Sequence, residues 1–253
     1  MKARLLPAIA VCASILAAAA AHAQTISLEA DYWMPFNGDG KAETGYMIDI
    51  AKAVFEAKGI TVAYTVTPWA RAVADARAGK CTAVVGAGTD DAPDLVFPKE
   101  EQGLGVQTFY VKTGSSWKYR GVDSLQGIRL GVIKDYTYFP ELDEYLKTSP
   151  KGVKVAFGDD PLSDNLRLLV DGGLDVVVDA TAVLAYTADK MGIKNKVAAA
   201  GNGGKPLAMY IAFSPAEPKA KTYADILSAG TQALRKSGQL KKILAKYGLQ
   251  DWK

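Results

Sequence analysis

Between Val85 and Pro98 the chain reads VGAGTDDAPDLVFP, a glycine-bearing turn followed by three acids, Asp90, Asp91 and Asp94. Carboxylates at that spacing can meet a ligand's positive charge, hold a metal, or accept loose backbone N–H groups at a helix start, for which Pro93 suits the first turn. A calcium loop needs oxygen ligands at regular spacing closed by a glutamate, which DDAPD lacks. A phosphate or dinucleotide loop would need a third glycine or a Gly-Lys-Ser/Thr ending, and these acids would repel phosphate. Metal and phosphate are thereby set aside, while ligand contact and helix-start chemistry both stay open.

Other residues with chemical potential follow the ends of strand-like runs, where α/β layers bind ligands on loops and helix N-termini. They lie in Tyr32-Trp33-Met34-Pro35-Phe36, Thr67-Pro68-Trp69-Ala70-Arg71, the turn Gly86-Ala87-Gly88 leading to Asp91, and Lys134-Asp135-Tyr136-Thr137-Tyr138, with Asp179 directly after a further strand. Trp33 and Phe36 can stack on a ligand or plug a core. Trp69 and Arg71 are two positions apart and cannot share a helix face, but at a strand-to-helix corner both can point into a cleft. Arg71 can equally be a plain surface residue, and Tyr136 and Tyr138 exposed residues of a helix start. An aromatic wall of this kind suits stacking or a cation over a ring face.

The only histidine, His22, falls in a leader: Lys2 and Arg4, the apolar run Leu5 to Ala20, then Ala21-His22-Ala23 as a small-x-small cleavage site. Residues 1–23 therefore read as a secretory signal, and Cys12 as part of it rather than a lipid anchor. Without histidine a mature chain runs no Ser-His-Asp or Cys-His site and lacks the commonest zinc ligand. Cys81, the one cysteine after cleavage, excludes an internal disulfide and reads as a small buried residue at a strand start. Removing Lys2 and Arg4 from 30 basic residues leaves 28 against 27 acids, with no basic footprint for nucleic acid. No later apolar run reaches the ~18 residues of a membrane span.

Strand and helix patterns alternate throughout, which argues for an α/β fold with largely parallel sheet. Strands are expected at Thr25–Glu29, Val62–Val66, Thr82–Val85, Arg129–Ile133, Val153–Phe157, Leu174–Val178 and Leu207–Phe213. Met47, Ile50, Ala51, Val54 and Phe55 follow helical spacing up to Gly59; further helices are expected at Ala70–Ala78, Leu142–Leu146, Asp164–Val170, Ala182–Met191 and, as one amphipathic stretch, Tyr223–Tyr247. The AGNGG run at 200–204 reads as a flexible link.

Several stretches in order resemble the bacterial periplasmic solute-binding proteins that serve polar amino-acid ABC importers (solute-binding family 3). They are Gly45-Tyr46-Met47-Ile48-Asp49-Ile50, Gly79-Lys80, Ser124-Leu125-Gln126-Gly127 with Leu130-Gly131-Val132, Gly173-Leu174-Asp175, and Gly238-Gln239-Leu240 with Ile243 and Lys246-Tyr247-Gly248. The resemblance implies a type II two-lobe fold, with residues 24–105 and 207–253 in lobe one, 106–206 in lobe two, and two crossing strands at a hinge. It further implies a monomeric periplasmic carrier without cofactor, which closes on a small polar, amino-acid-like solute and docks on a membrane permease.

Carried over, the resemblance places Trp33, Phe36, Trp69, Arg71, Gly86, Ala87, Gly88, Asp91, Tyr136, Thr137 and Asp179 at the ligand. Two departures stand out. The arginine that usually grips a ligand carboxylate after the glycine turn is missing, since no arginine occurs between Gly86 and Tyr119, so Arg71 is the substitute expected. The usual ammonium-binding acid would fall at Ala180, and Asp179 precedes it by one residue, which on a strand normally means the other face. Alternatives on the same fold are a cyclohexadienyl-dehydratase-like enzyme with a carboxylic general acid, or a partner that presents ligand to a membrane sensor.

Overall fold

The computed structural model describes residues 24–148 and 151–253, so the leader with Cys12 and His22 lies outside the described residues. Strands β1 (Gln24–Ala30), β2 (Ile60–Val66) and β3 (Ala83–Ala87) alternate with helices α1 (Tyr46–Glu56) and α2 (Trp69–Arg77). The chain then enters β4 (Gly103–Lys112) and a second series of β5 (Leu130–Ile133), α3 (Pro140–Lys147), β6 (Val153–Ala156), α4 (Pro161–Asp171), β7 (Val176–Ala180) and α5 (Thr181–Lys190). It returns through β8 (Val197–Phe213) to α6 (Ala220–Lys236) and α7 (Gln239–Ala245).

The sheet order is β2-β1-β3-β8-β4-β7-β5-β6. At each end the strands are parallel, β1 between β2 and β3, and β5 between β6 and β7. The middle is antiparallel, because β8 pairs with β3 and β4, and β4 with β7. Two parallel half-sheets are thus joined by two long antiparallel strands.

Burial follows the periodicity of the sequence. Met47, Ile50, Ala51, Val54 and Phe55 are all buried on one side of α1, against β2 and the helices α6 and α7; each large side chain there contributes about 1.5–3 kcal/mol of burial. A second cluster holds Phe109, Leu125, Leu130, Leu142 and Val178, and a third, under α2, holds Ala72, Val73, Cys81, Val84 and Leu95. Burial pushes the Cys81 thiol up to about 12, which makes it an inert core residue.

Three expectations change. The AGNGG run is not a link but part of β8, with Asn202 opposite Thr108 and Gly203 opposite Gln107. Its glycines serve close approach, since a Cβ on Gly203 would lie 2.3 Å from the Phe139 ring and one on Gly204 2.6 Å from Phe139. The expected helix 223–247 is two helices, broken at Gly238, whose φ of 75° lies in the left-handed region. No helix starts at Asp90 and Asp91: residues 89–94 form turns, and Asp91 reaches back to accept the Gly88 N–H at 2.8 Å.

Candidate functional site

The two half-sheets face each other across a cleft into which the carboxyl ends of β1, β5 and β7 point, as strand-end loops should in α/β layers. Side chains bridge it. Trp33, after β1, donates its indole N–H to Asp179 Oδ1 on β7 at 3.0 Å. Tyr136, after β5, donates its hydroxyl to Asp31 at the end of β1. Nearer the surface Glu43 accepts from Tyr186 and from Lys190, the latter at 3.0 Å.

Beside these bridges lie an outer pocket of about 210 Å³ and an adjoining inner one of about 40 Å³. Asp31, Trp33, Trp69, Tyr136 and Asp179 line both. The inner cavity also touches Gly86, Asp91, Gln107, Thr137 and Met209. At the outer one, Phe157, Leu162 and Val183 add apolar wall, and Lys134, Asp135, Asp159 and Asp160 add charge.

Electrostatically the cleft is a place where, among the described residues, buried acids are held without a cationic partner. Burial pushes Asp179 up to about 7, and nearby Asp31 adds repulsion, although the Trp33 indole and the Ala180 N–H both favour the ionised form. Asp31 is pushed up to about 6 by burial, against hydrogen bonds from Tyr136, its own backbone and Asn37. Burial likewise raises Asp91, opposed by the Gly88 N–H and the Thr137 hydroxyl. The Tyr136 phenol is raised far above its ordinary range by burial and by the two aspartates.

Of the residues expected at a ligand, Trp33, Trp69, Gly86, Asp91, Tyr136, Thr137 and Asp179 come together around the inner cavity. Asp179 reaches it from within β7, while Ala180 is fully buried among apolar side chains. Gly86 has φ 93° and passes under Trp33 and Asn37, where a Cβ would lie 3.4 Å from Asn37 Oδ1.

Four residues stand elsewhere. Phe36 is buried behind Trp33, stacked on it at 4.2 Å between ring centres, so it supports the indole rather than lining the cleft. Ala87 turns into the core under α2, because β3 shifts register between Val85 and Ala87. Gly88 lines a neighbouring pocket and is the backbone donor to Asp91. Arg71 lies one turn before Asp75 on the outer face of α2, bonds that carboxylate at 2.6 Å and leaves 64% of its side chain exposed. Tyr138 is also core, its hydroxyl accepting the Ile133 N–H.

Sequence reasoning missed Asp31 and Gln107. Asp31 immediately precedes the aromatic segment and was open to the strand-end rule. Gln107 lies in the middle of β4 and has no such signal, because only the crossing of β4 beneath the cleft brings it there.

The chain matches no family model and no curated protein by sequence. Solved structures do match its fold. A histidine kinase sensor domain with similarity to periplasmic binding proteins superposes at TM-score 0.72, with 21% identity over 88% of this chain and 95% of that one. This is the periplasmic-binding-protein fold. The same fold relates the chain to an ABC uptake transporter substrate-binding protein from Streptococcus pneumoniae with bound histidine, at TM-score 0.73 and 18% identity over 89% of this chain and 93% of that one. A structure describing glutathione import via GshT and the cystine ABC importer TcyBC of Streptococcus mutans matches at TM-score 0.73 and 22% identity, over 88% of this chain and 94% of that one. In this chain the space between the half-sheets is the region with aromatic walls and with acids that no cation pairs among the described residues.

Proposed function

We propose that the chain is the solute-binding component of an ABC importer, exported by its leader to the periplasm, where it captures a small polar solute between two lobes and delivers it to a membrane permease. Residues 24–105 and 207–253 would form one lobe and 106–206 the other, with β4 and β8 as the hinge. The observation that carries this reading is the pair of side-chain bridges, Trp33 to Asp179 and Tyr136 to Asp31, that span an aromatic-lined cavity. Each joins a residue at the end of a strand in one half-sheet to its counterpart in the other, so a solute bound there touches both and favours the closed arrangement.

An enzyme of the dehydratase kind fits less well. Such a reaction would need an anionic acid to enter a space lined by Asp31, Asp91 and Asp179, with no arginine among the lining residues. Carrier function is therefore the better reading.

Thermal unfolding with tryptophan fluorescence tests it. A solute at a hundred times its Kd should add about 2.7 kcal/mol to stability and change the emission of Trp33 and Trp69. Trp33→Ala and Trp69→Ala should each weaken binding by roughly 10- to 100-fold, the usual effect of truncating a buried aromatic anchor. Wild-type affinity in both variants would remove the cleft as the binding site.

A further inference from the structure

We infer that the solute held in this cleft is an organic amine, carrying a primary ammonium group and no carboxylate. The inference rests on the carrier reading above and goes further, to the charge and functional groups of the solute.

The inner cavity presents acceptors that nothing among the described residues satisfies. Asp179 is only 1% exposed, and its Oδ2 has no hydrogen-bond partner among the described residues. Gln107 is 4% exposed, and its side-chain oxygen is likewise unpartnered. Buried acceptors are rarely left so, because the desolvation of each is then uncompensated. Both line the same small space, beside Asp31 and Asp91. A primary ammonium has three donors and no acceptor, which is the complement of this set. The rings of Trp33, Trp69 and Tyr136 form the remaining walls and attract a cation over their faces.

A carboxylate finds no matching seat. Among the described residues, no lysine, arginine or histidine lines the inner cavity, and along the outer one Lys134, exposed at the rim, faces five acids: Asp31, Asp135, Asp159, Asp160 and Asp179. Arg71 is tied to Asp75 on the outer face of α2. The N–H of Gly88, in the turn where a ligand carboxylate could have docked, is already taken at 2.8 Å by the carboxylate of Asp91. The protein thus supplies its own anion where a zwitterion would bring one. Outward from the ammonium seat, Phe157, Leu162 and Val183 offer apolar wall for a carbon chain, and Asp159 and Asp160 lie at the mouth to meet a second positive charge.

The test compares amines with their carboxylated counterparts on the mature protein at pH 8: 1,4-diaminobutane with ornithine, agmatine with arginine, histamine with histidine. Calorimetry should show at least one amine binding, and each amine that binds doing so at least about 10-fold more tightly than its amino acid. Asp179→Asn, which keeps the acceptor for the Trp33 indole, should weaken amine binding by about 100-fold, in line with loss of a charge-assisted hydrogen bond and its ion pair. Gln107→Ala, expected to cost about 10-fold, decides the point if Asp179→Asn does not unfold cooperatively. Tighter binding of an amino acid than of its amine overturns the charge assignment and leaves the carrier standing. So does wild-type amine affinity in the variant that decides. Failure of all three amines overturns the assignment as well, and the carrier reading survives that result if any other solute still quenches Trp33 and Trp69.

Discussion

Two groups of acids shielded from water in this molecule meet opposite fates. Around the C-terminus, Glu100 and Glu101 are packed beneath Arg235 and Lys253: Arg235 bonds Glu100 and also Asp251, at 2.9 Å, and Lys253 reaches Glu100 at 2.7 Å and Glu101 at 2.8 Å. Burial alone would raise both glutamates. Hydrogen bonds from Lys253, with Gln232 and Arg235 for Glu100 and with Trp252 for Glu101, outweigh it, and both are held below the ordinary range. In the cleft burial acts in the same direction, but no cation among the described residues answers it, and Asp31 and Asp179 rise to about 6 and about 7. A paired acid is part of the scaffold. An unpaired one, kept beside a cavity, is poised for a charge that comes from outside.

The largest effect should come from breaking the paired group. Arg235→Met removes two ion pairs and the guanidinium stacked 5.2 Å over Trp252, and urea unfolding should show a loss of about 3 kcal/mol, with no change in solute affinity. In the cleft the sign reverses. Asp179→Asn deletes a charge that has no partner, so at pH 8 the solute-free protein should become more stable by roughly 2 kcal/mol while losing its ligand. A stability gain coupled to a loss of binding would mark the residue as functional.

The pH dependence sharpens the contrast. Below about pH 4 the Asp179 carboxyl is protonated in both the folded and unfolded chain. From there to about 7 the folded chain keeps a proton that the unfolded chain has released, so this group's contribution to stability falls as pH rises and is gone above about 7. Glu100 and Glu101, held low, act the other way: their contribution is present above the unfolded carboxylate range and is lost as pH falls through their folded values. Unfolding curves for wild type and Asp179→Asn at pH 5 and pH 8 should therefore differ most at pH 8. Equal differences at both pH values would place Asp179 in the ordinary carboxylate range.

The smallest effect belongs to Arg71. Arg71 is itself exposed, and its buried partner Asp75 keeps Lys80 at 3.3 Å, so Arg71→Ala should leave the urea midpoint nearly unchanged and solute affinity unchanged. A loss of binding in that variant would bring Arg71 back into the cleft.

The fold was largely legible because apolar periodicity survives in each element: the helical spacing of Met47 to Phe55 and the short strand expected at Leu174–Val178, found two residues on at Val176–Ala180, need only local pattern. The glycines at 201, 203 and 204 misled, since composition alone does not separate a flexible link from a strand that must pass close to Tyr119 and Phe139. At the site, strand-end position marked Trp33, Trp69, Asp91, Tyr136 and Asp179. It failed for Arg71, whose direction is set by helix phase and by Asp75 four residues on, and for Gln107, which a crossing strand delivers from its middle.

The most direct measurement is a carbon-detected NMR titration of the Asp179 carboxyl in the solute-free protein and with 1,4-diaminobutane. A midpoint near 7 without solute, against the ordinary 3.8, that moves down by at least about one unit when the amine pairs with the ionised carboxylate, is the expected result. A midpoint near 4 in the solute-free protein would contradict it, because Asp179 would then already possess the positive partner that the cleft is said to lack.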